Sequence, residues 1–223
     1  TSSLDALKYY DKYKDLEGWE GFKVVLGNEI YLCTEDVTAE NKFNNRYPHF
    51  ILVALNANGH KGIRELSTKA WIVNSFMHVM MRVPTYYSDL EEMMVNYKGD
   101  IVGSSACLGG ALPHRLLQFQ DLERDNPKQY AEIWQSCKDW IAYMNEMFGE
   151  GYFFLELQPS HMQEQIYVNQ KLLQLSAETN TPYIITTDAH YLKKEDREIH
   201  KIFLESQDGD REVDDFYSTT SIM

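Results

Sequence analysis

An α/β fold, with its strands gathered into a parallel sheet or barrel, is what this sequence predicts. Three observations predict it. Short apolar β-type runs alternate along the chain with segments whose apolar residues recur at helical spacing. Hydrophobic residues make up 43% and aromatic residues 13% of the 223 positions, enough for a substantial core. No internal repeat, low-complexity tract or flexible linker interrupts the chain, so one domain over residues 1–223 is expected.

The elements follow in order. Leu4, Leu7 and Tyr10 mark a first amphipathic helix. Phe22 to Leu26 reads as a strand, followed by Gly27-Asn28-Glu29 and a second short apolar run, Ile30-Tyr31-Leu32. Phe50 to Leu55 is an apolar strand that Asn58-Gly59 breaks. Ile63, Leu66, Ala70 and Trp71 then fall at helical spacing. Ile101-Val102 is a short strand leading into the small-residue loop Gly103 to Gly110. Asn126-Pro127 is a cap with proline at the first helical position, and Tyr130, Trp134, Cys137, Ile141 and Met144 form the stripe of the helix it opens. Tyr152 to Leu157 is a strand, and Ile166 to Ala177 a helix ending near Asn180, with Pro182 beyond. A strand around Ile184 precedes a last helix from Lys194 to about Ser206, with Ile199, Ile202 and Phe203 expected inward. Trp71, Trp134 and Trp140 read as core.

Composition narrows the function. The net charge of −13 repels phosphate backbones, so duplex binding would need a metal or a neighbouring domain to supply positive charge. No apolar run approaches the ~18 residues of a membrane span, and the start Thr1-Ser2-Ser3-Leu4-Asp5 has no secretory signal. Cys33, Cys107 and Cys137 form no Cys-x-x-Cys, which argues against a structural zinc site and a disulfide scaffold and fits a reducing cytoplasm. The nucleotide-binding glycine pattern, the Walker A motif and the nucleophile elbow of serine hydrolases are all absent. Metal-assisted phosphoester chemistry is what remains.

The most informative stretch is Pro182 to Tyr191, where an apolar run ends in Asp188 and His190. In an extended backbone, residues i and i+2 project to the same side, so a carboxylate and an imidazole there can aim at one divalent ion. Read alone, such a pair is a weak signal and more often a surface-loop feature. Strand ends collect the chemistry of parallel α/β folds, and Glu29, Cys107, Asp188 and His190 all follow apolar runs. Glu29 is open to a metal-ligand or a solvated-loop reading, and Cys107 to a ligand or a buried, inert reading. His49 precedes its strand, so spacing gives it no role; His60, His78, His114, His161 and His200 have no partner at ligand spacing.

Taken together, the blocks resemble the PHP (polymerase and histidinol phosphatase) domain of bacterial replicative DNA polymerase III alpha subunits. Gly27-Asn28-Glu29-Ile30-Tyr31 is similar to the family's Gly-Cys-Glu-x-Tyr, and His49 to Asn56 to its His-Leu-x-Leu-Leu-Ala-x-Asn. Gly62-Ile63-Arg64-Glu65-Leu66-Ser67 is similar to the helix that follows, and Ser105-Ala106-Cys107-Leu108-Gly109-Gly110 to Ser-Gly-Cys-Leu-Gly-Gly. Leu155-Glu156-Leu157-Gln158, Glu164-Gln165 and Val168-Asn169 match Leu-Glu-Leu-Gln and Glu-Gln-x-x-Val-Asn, and Thr187 to Leu192 matches Asn-Asp-x-His-Tyr-Leu.

The resemblance implies a distorted seven-stranded β/α barrel with a site for up to three divalent metals, whether zinc, manganese or magnesium. It implies Glu29, His49, Cys107, Asp188 and His190 as ligands, with Asp188 and His190 also catalytic, and metal-dependent 3′–5′ exonuclease proofreading within a DNA polymerase. The implied partners are DNA, the sliding clamp and a proofreading exonuclease, and the location is cytoplasmic. The family's early His-x-His and Asp-His motifs do not occur in this chain. A barrel truncated at its N-terminus, weak metal binding and a catalytically silent fragment are the matching expectations. Two other roles stay open: a non-catalytic module that braces the polymerase or docks a proofreading exonuclease, and a free-standing phosphoesterase of the histidinol-phosphatase kind.

Overall fold

The computed structural model describes residues 2–41, 46–78, 80–191, 193 and 195–208. The chain divides into two compact units, the first comprising residues 1–47 and 51–103 and the second residues 48–50 and 104–223.

The first unit opens with helix α1 (Ser2–Tyr13). Strand β1 (Gly27–Cys33) follows, then β2 (His49–Ala54), which enters this unit at Ile51. Helix α2 (Ala57–Lys69) runs into a π-helical turn, Ala70–Asn74. The short strands β3 (Phe76–Met77) and β4 (Met81–Arg82) form an antiparallel hairpin, and β5 (Pro84–Tyr86) leads into α3 (Tyr87–Tyr97) and β6 (Ile101–Ser104). Strands lie in the order β5-β1-β2-β6, with β1 and β5 parallel in the register Tyr31↔Pro84 and Cys33↔Tyr86. Ile30, Leu32, Leu52, Leu66, Leu90, Met94 and Ile101 are buried in this unit.

Gly27 explains why β1 starts where it does. A side chain there would place its Cβ 2.7 Å from the Leu52 carbonyl oxygen, so only glycine lets the two strands approach this closely. The strand expected over Phe22 to Leu26 does not form. Phe22 and Val25 are exposed, and Phe22 packs on the rings of Tyr10 and Trp19. Gly27-Asn28-Glu29 is therefore part of a strand rather than a connection between two, and Glu29 lies within β1. Asn58-Gly59 likewise ends no element. Asn56 caps α2 by accepting from the Gly59 N–H at 2.9 Å, so Asn58 and Gly59 occupy the first turn.

The hairpin, β5 and α3 have no counterpart in the expectations. Strands of two or three residues are too short for alternation to register. Their anchor is tertiary: buried Asp89 accepts from the Tyr86 N–H at 3.2 Å and from Asn74 Nδ2 at 2.6 Å, and pairs with Lys69 at 2.7 Å. That arrangement uses both the free N–H at the start of α3 and a cation to compensate the burial of the carboxylate.

The second unit carries α4 (Ala111–Gln118), α5 (Leu122–Asp125), α6 (Pro127–Phe148), β7 (Phe153–Leu157), α7 (Gln163–Thr179), β8 (Tyr183–Ile185) and α8 (Asp196–Asp208). Strands β7 and β8 are parallel, with Leu155 opposite Tyr183 and Leu157 opposite Ile185. Helix α7 packs on α4, α6 and β7. The caps agree with the sequence: Asn126 accepts from the Gln129 N–H with Pro127 at the first helical position, and α7 ends at Asn180 in the left-handed conformation, φ 52°. The core is a stack of rings, Phe50 on Phe153 at 6.1 Å and on Phe148 at 5.8 Å, surrounded by Ile141, Met144, Leu155, Val168, Leu172 and Leu175. Burying each such side chain contributes about 2–3 kcal/mol.

Two apolar expectations fail. Trp71 is 58% exposed because the π-helical turn rotates it off the face that Leu66 and Ala70 bury. Trp134 and Trp140 are half-buried. Ile199, Ile202 and Phe203 of α8 are exposed rather than inward. Lys194, the expected start of that helix, lies outside the described residues, as does Leu192. No helix among the described residues is long and apolar enough to cross a membrane.

Candidate metal centre

The loop after β6 is shaped by its small residues. The Ser105 N–H donates to the Phe154 carbonyl at 3.1 Å, continuing the β6 direction alongside β7. Ala106 then turns the chain with φ 60°, and the Gly110 N–H closes the loop on the Cys107 carbonyl at 2.8 Å. The His49 N–H donates to the Gly109 carbonyl at 3.1 Å. A Cβ on Gly109 would sit 3.2 Å from the imidazole of His49, and one on Gly110 only 2.1 Å from the Ser105 carbonyl oxygen. The glycines therefore let the loop lie directly against the His49 ring.

The result is a thiol and an imidazole side by side. Cys107 Sγ stands 3.4 Å from His49 Nδ1, and both residues are half-buried. That distance suits a thiol–imidazole hydrogen bond. It also suits two ligands of one ion: a sulfur at ~2.3 Å and a nitrogen at ~2.0 Å, at a tetrahedral angle, lie about 3.5 Å apart. The donor set, soft sulfur with imidazole nitrogen, fits a borderline divalent metal such as zinc. His49, which sequence spacing left without a role, is thus placed beside Cys107 by the fold.

Cys107 is also the accessible thiol of the three. Cys33 and Cys137 are buried, and burial pushes their thiols up to about 12 and about 11 respectively. Both stay protonated and inert near neutral pH.

Asp188 and His190 follow β8 in the second unit, Asp188 half-buried and His190 exposed. The expected extended geometry is not what holds them. Asp188 has φ 46°, so the chain turns, and His190 Nδ1 donates back to the Asp188 carbonyl at 2.7 Å. That contact puts the ring proton on Nδ1 and leaves the lone pair on Nε2, the atom that would ligate a metal. His49 and Cys107 do not combine with Asp188 or His190 into a group of three whose donor atoms all lie within 4.8 Å of one another. Glu29 stands in the first unit as an exposed carboxylate of β1, flanked by buried Ile30.

Two neighbours were given no role in the site by the sequence. The His200 ring on α8 lies 5.4 Å from that of His190, and its pKa is lowered, first by burial and then by the charge of His190. Glu156 is 6% exposed in the middle of β7 and accepts from side chains on two other segments. A glutamate inside an apolar run is the only hint of such a residue.

Comparison with known proteins fixes the family. The PHP domain model matches residues 2–160. The chain is 39% identical over 222 residues to "Probable DNA polymerase YorL" of Bacillus subtilis (strain 168), covering 97% of this chain and 17% of that protein. It is equally similar, with the same coverage, to "DNA-directed DNA polymerase" of Bacillus phage SPbeta. "DNA polymerase III subunit alpha" of Treponema pallidum (strain Nichols) is 28% identical over 187 residues, 83% of this chain and 14% of that protein. The chain thus spans about a sixth of the length of these relatives. It belongs to the PHP domain family, and its parallel strand pairs with flanking helices agree with the α/β arrangement expected from the sequence.

Proposed function

We propose that this PHP chain serves a DNA polymerase of the polymerase III alpha kind as a metal-dependent phosphoesterase, removing nucleotides from a 3′ end. The observation that carries the reading is the His49–Cys107 pair, a thiol and an imidazole at the spacing of two ligands of one ion. We further propose that the domain extends over residues 1–223, past the span matched by the family model, because the Asp188–His190 block lies beyond it. The proposed ligands are Glu29, His49, Cys107, Asp188 and His190, holding zinc, manganese or magnesium, up to three ions when the family's full ligand set is assembled.

When bound, such ions activate a water and stabilise the leaving oxygen of a phosphodiester. The chain's own residues do the rest. Asp188 contributes the negative charge that retains a cation, and His190 offers Nε2 because its Nδ1 is committed to the Asp188 carbonyl. The net charge of −13 makes a metal the reasonable bridge to a phosphate backbone. The proposed partners are DNA, the clamp and a separate proofreading exonuclease, and the proposed location is the cytoplasm.

A second reading is a non-catalytic module that braces the polymerase or docks a proofreading exonuclease. It is favoured by the fact that the His49–Cys107 contact is equally satisfied as a hydrogen bond without any ion. The histidinol-phosphatase alternative is disfavoured by the Leu155 to Gln158 and Cys107 to Gly110 blocks, which belong to the polymerase branch.

The test is a primer-degradation assay on the polymerase that carries this chain, with and without chelator. Asp188→Asn should abolish 3′–5′ degradation of single-stranded DNA and leave nucleotide addition largely intact. His190→Ala should do the same. Equal, chelator-insensitive degradation by wild type and both variants would leave the bracing module as the reading to keep.

A further inference from the structure

We infer that Glu156 is a positioning residue that sets the Cys107 loop and the Asp188–His190 loop against one another. The inference rests on the ligand assignment above but concerns a residue that ligates nothing.

Glu156 lies on β7 between Leu155 and Leu157, 6% exposed. On one side, Ser104 Oγ donates to its Oε2, and its own N–H donates to Ser105 Oγ at 2.9 Å. Ser104 and Ser105 lead directly into Ala106 and Cys107. On the other side, Thr186 Oγ1 donates to Oε1 at 2.6 Å, and Gln158 Nε2 donates to the same oxygen at 3.1 Å. Thr186 leads directly into Thr187 and Asp188, and its N–H donates to the Leu157 carbonyl at 3.0 Å. One carboxylate thus joins the roots of both ligand-bearing loops, all within the second unit.

The chemistry argues against a purely structural role. Among the described residues, Glu156 has only neutral partners, whereas Asp89, a second buried carboxylate, has the Lys69 ammonium at 2.7 Å. A buried acid without a counter-ion is a poor way to gain stability, and an apolar side chain of similar size serves a core better. What glutamate supplies, and leucine cannot, is two acceptor oxygens pointing to two different segments. Outer-shell hydrogen bonds of this kind orient metal ligands, and their loss typically costs ~10–100-fold in metal affinity.

The test uses the 223-residue chain and cobalt(II) alone as probe. Cobalt bound at Cys107 gives a thiolate charge-transfer absorption that reports the site directly. Glu156→Gln should weaken cobalt binding by about 10–100-fold and alter that absorption. It should also speed alkylation of Cys107 in chelator, a metal-free reading of loop order made clean by the burial of Cys33 and Cys137. Asp89→Asn, the control, should lower the melting temperature and move neither reading. Should Glu156→Gln fail to fold, Thr186→Val and Ser104→Ala each remove one donor and should each shift cobalt affinity in the same direction. Wild-type cobalt affinity and alkylation rate in Glu156→Gln, with only a lowered melting temperature, would overturn the inference. Failure of the wild-type chain to bind cobalt would match the incomplete ligand set expected from the sequence; the alkylation arm would then decide alone whether Glu156 orders the loop, and an unchanged alkylation rate would overturn the inference.

Discussion

The Cys107 loop and the Asp188–His190 loop both leave the end of a strand, yet they are held in different ways. The Cys107 loop is fixed from outside. Its backbone is bonded to Phe154 and to His49, and two glycines remove atoms that would crowd the His49 ring and collide with the Ser105 carbonyl. The Asp188–His190 loop turns through a left-handed Asp188 and an imidazole that returns to the Asp188 carbonyl, and the His190 and Tyr191 rings lie against His200 of α8. Packing therefore sets the thiol–imidazole pair before any ligand arrives. The carboxylate–imidazole pair is shaped by its own short turn and anchored beneath by Thr186.

The contrast breaks most visibly at Gly110. Gly110→Ala puts a Cβ 2.1 Å from a backbone oxygen that has no room to retreat. The expected cost is about 3 kcal/mol, read as a shift of the denaturation midpoint, with the Cys107–His49 site lost. A wild-type midpoint would mean that the close glycine contact is not what holds this loop.

A smaller effect is expected at Asp188, where backbone and charge can be separated. Asp188→Ala should cost about 1 kcal/mol because alanine tolerates the left-handed region poorly. Asp188→Asn should change stability by less than about 0.5 kcal/mol, since asparagine adopts that region readily. Both variants should lose metal binding alike. Equal stability for the two would show that the turn is not what holds this loop.

The smallest effect concerns His200 beside His190. Burial and the neighbouring imidazole hold the His200 pKa below its ordinary 6.5 in the folded chain. The unfolded chain then binds the proton more readily, so this contribution to stability is complete above pH 6.5 and is lost as pH falls through the depressed folded value. Metal-free thermal melts over that window should show wild type losing slightly more stability than His200→Gln. Parallel curves would remove His190 and His200 as a coupled pair.

Much of this was legible in the residues. Strand β2, helices α6 and α7 and their caps, and strand β7 were readable because they are long or carry end signals that act locally, as Asn126-Pro127 and Asn180 do. The hairpin of β3 and β4 was not, since two-residue strands have no period and exist only through pairing. Trp71 and the Ile199 stripe were misread because helical spacing says which residues share a face, not whether anything covers it. Phe22 to Leu26 was misread as a strand because β-type composition does not create a partner for the backbone.

The same division applies to the site. Cys107 and the Asp188–His190 block stand out in the sequence as candidates because short motifs carry residue type and order, and these the chain fixes by itself. That His49 meets Cys107 at 3.4 Å, and that Glu156 joins the roots of two loops, were decided by tertiary structure alone. Hydrogen bonds and ligand contacts depend on distances between segments far apart in sequence, and only the packed strands and close glycine contacts fix those distances.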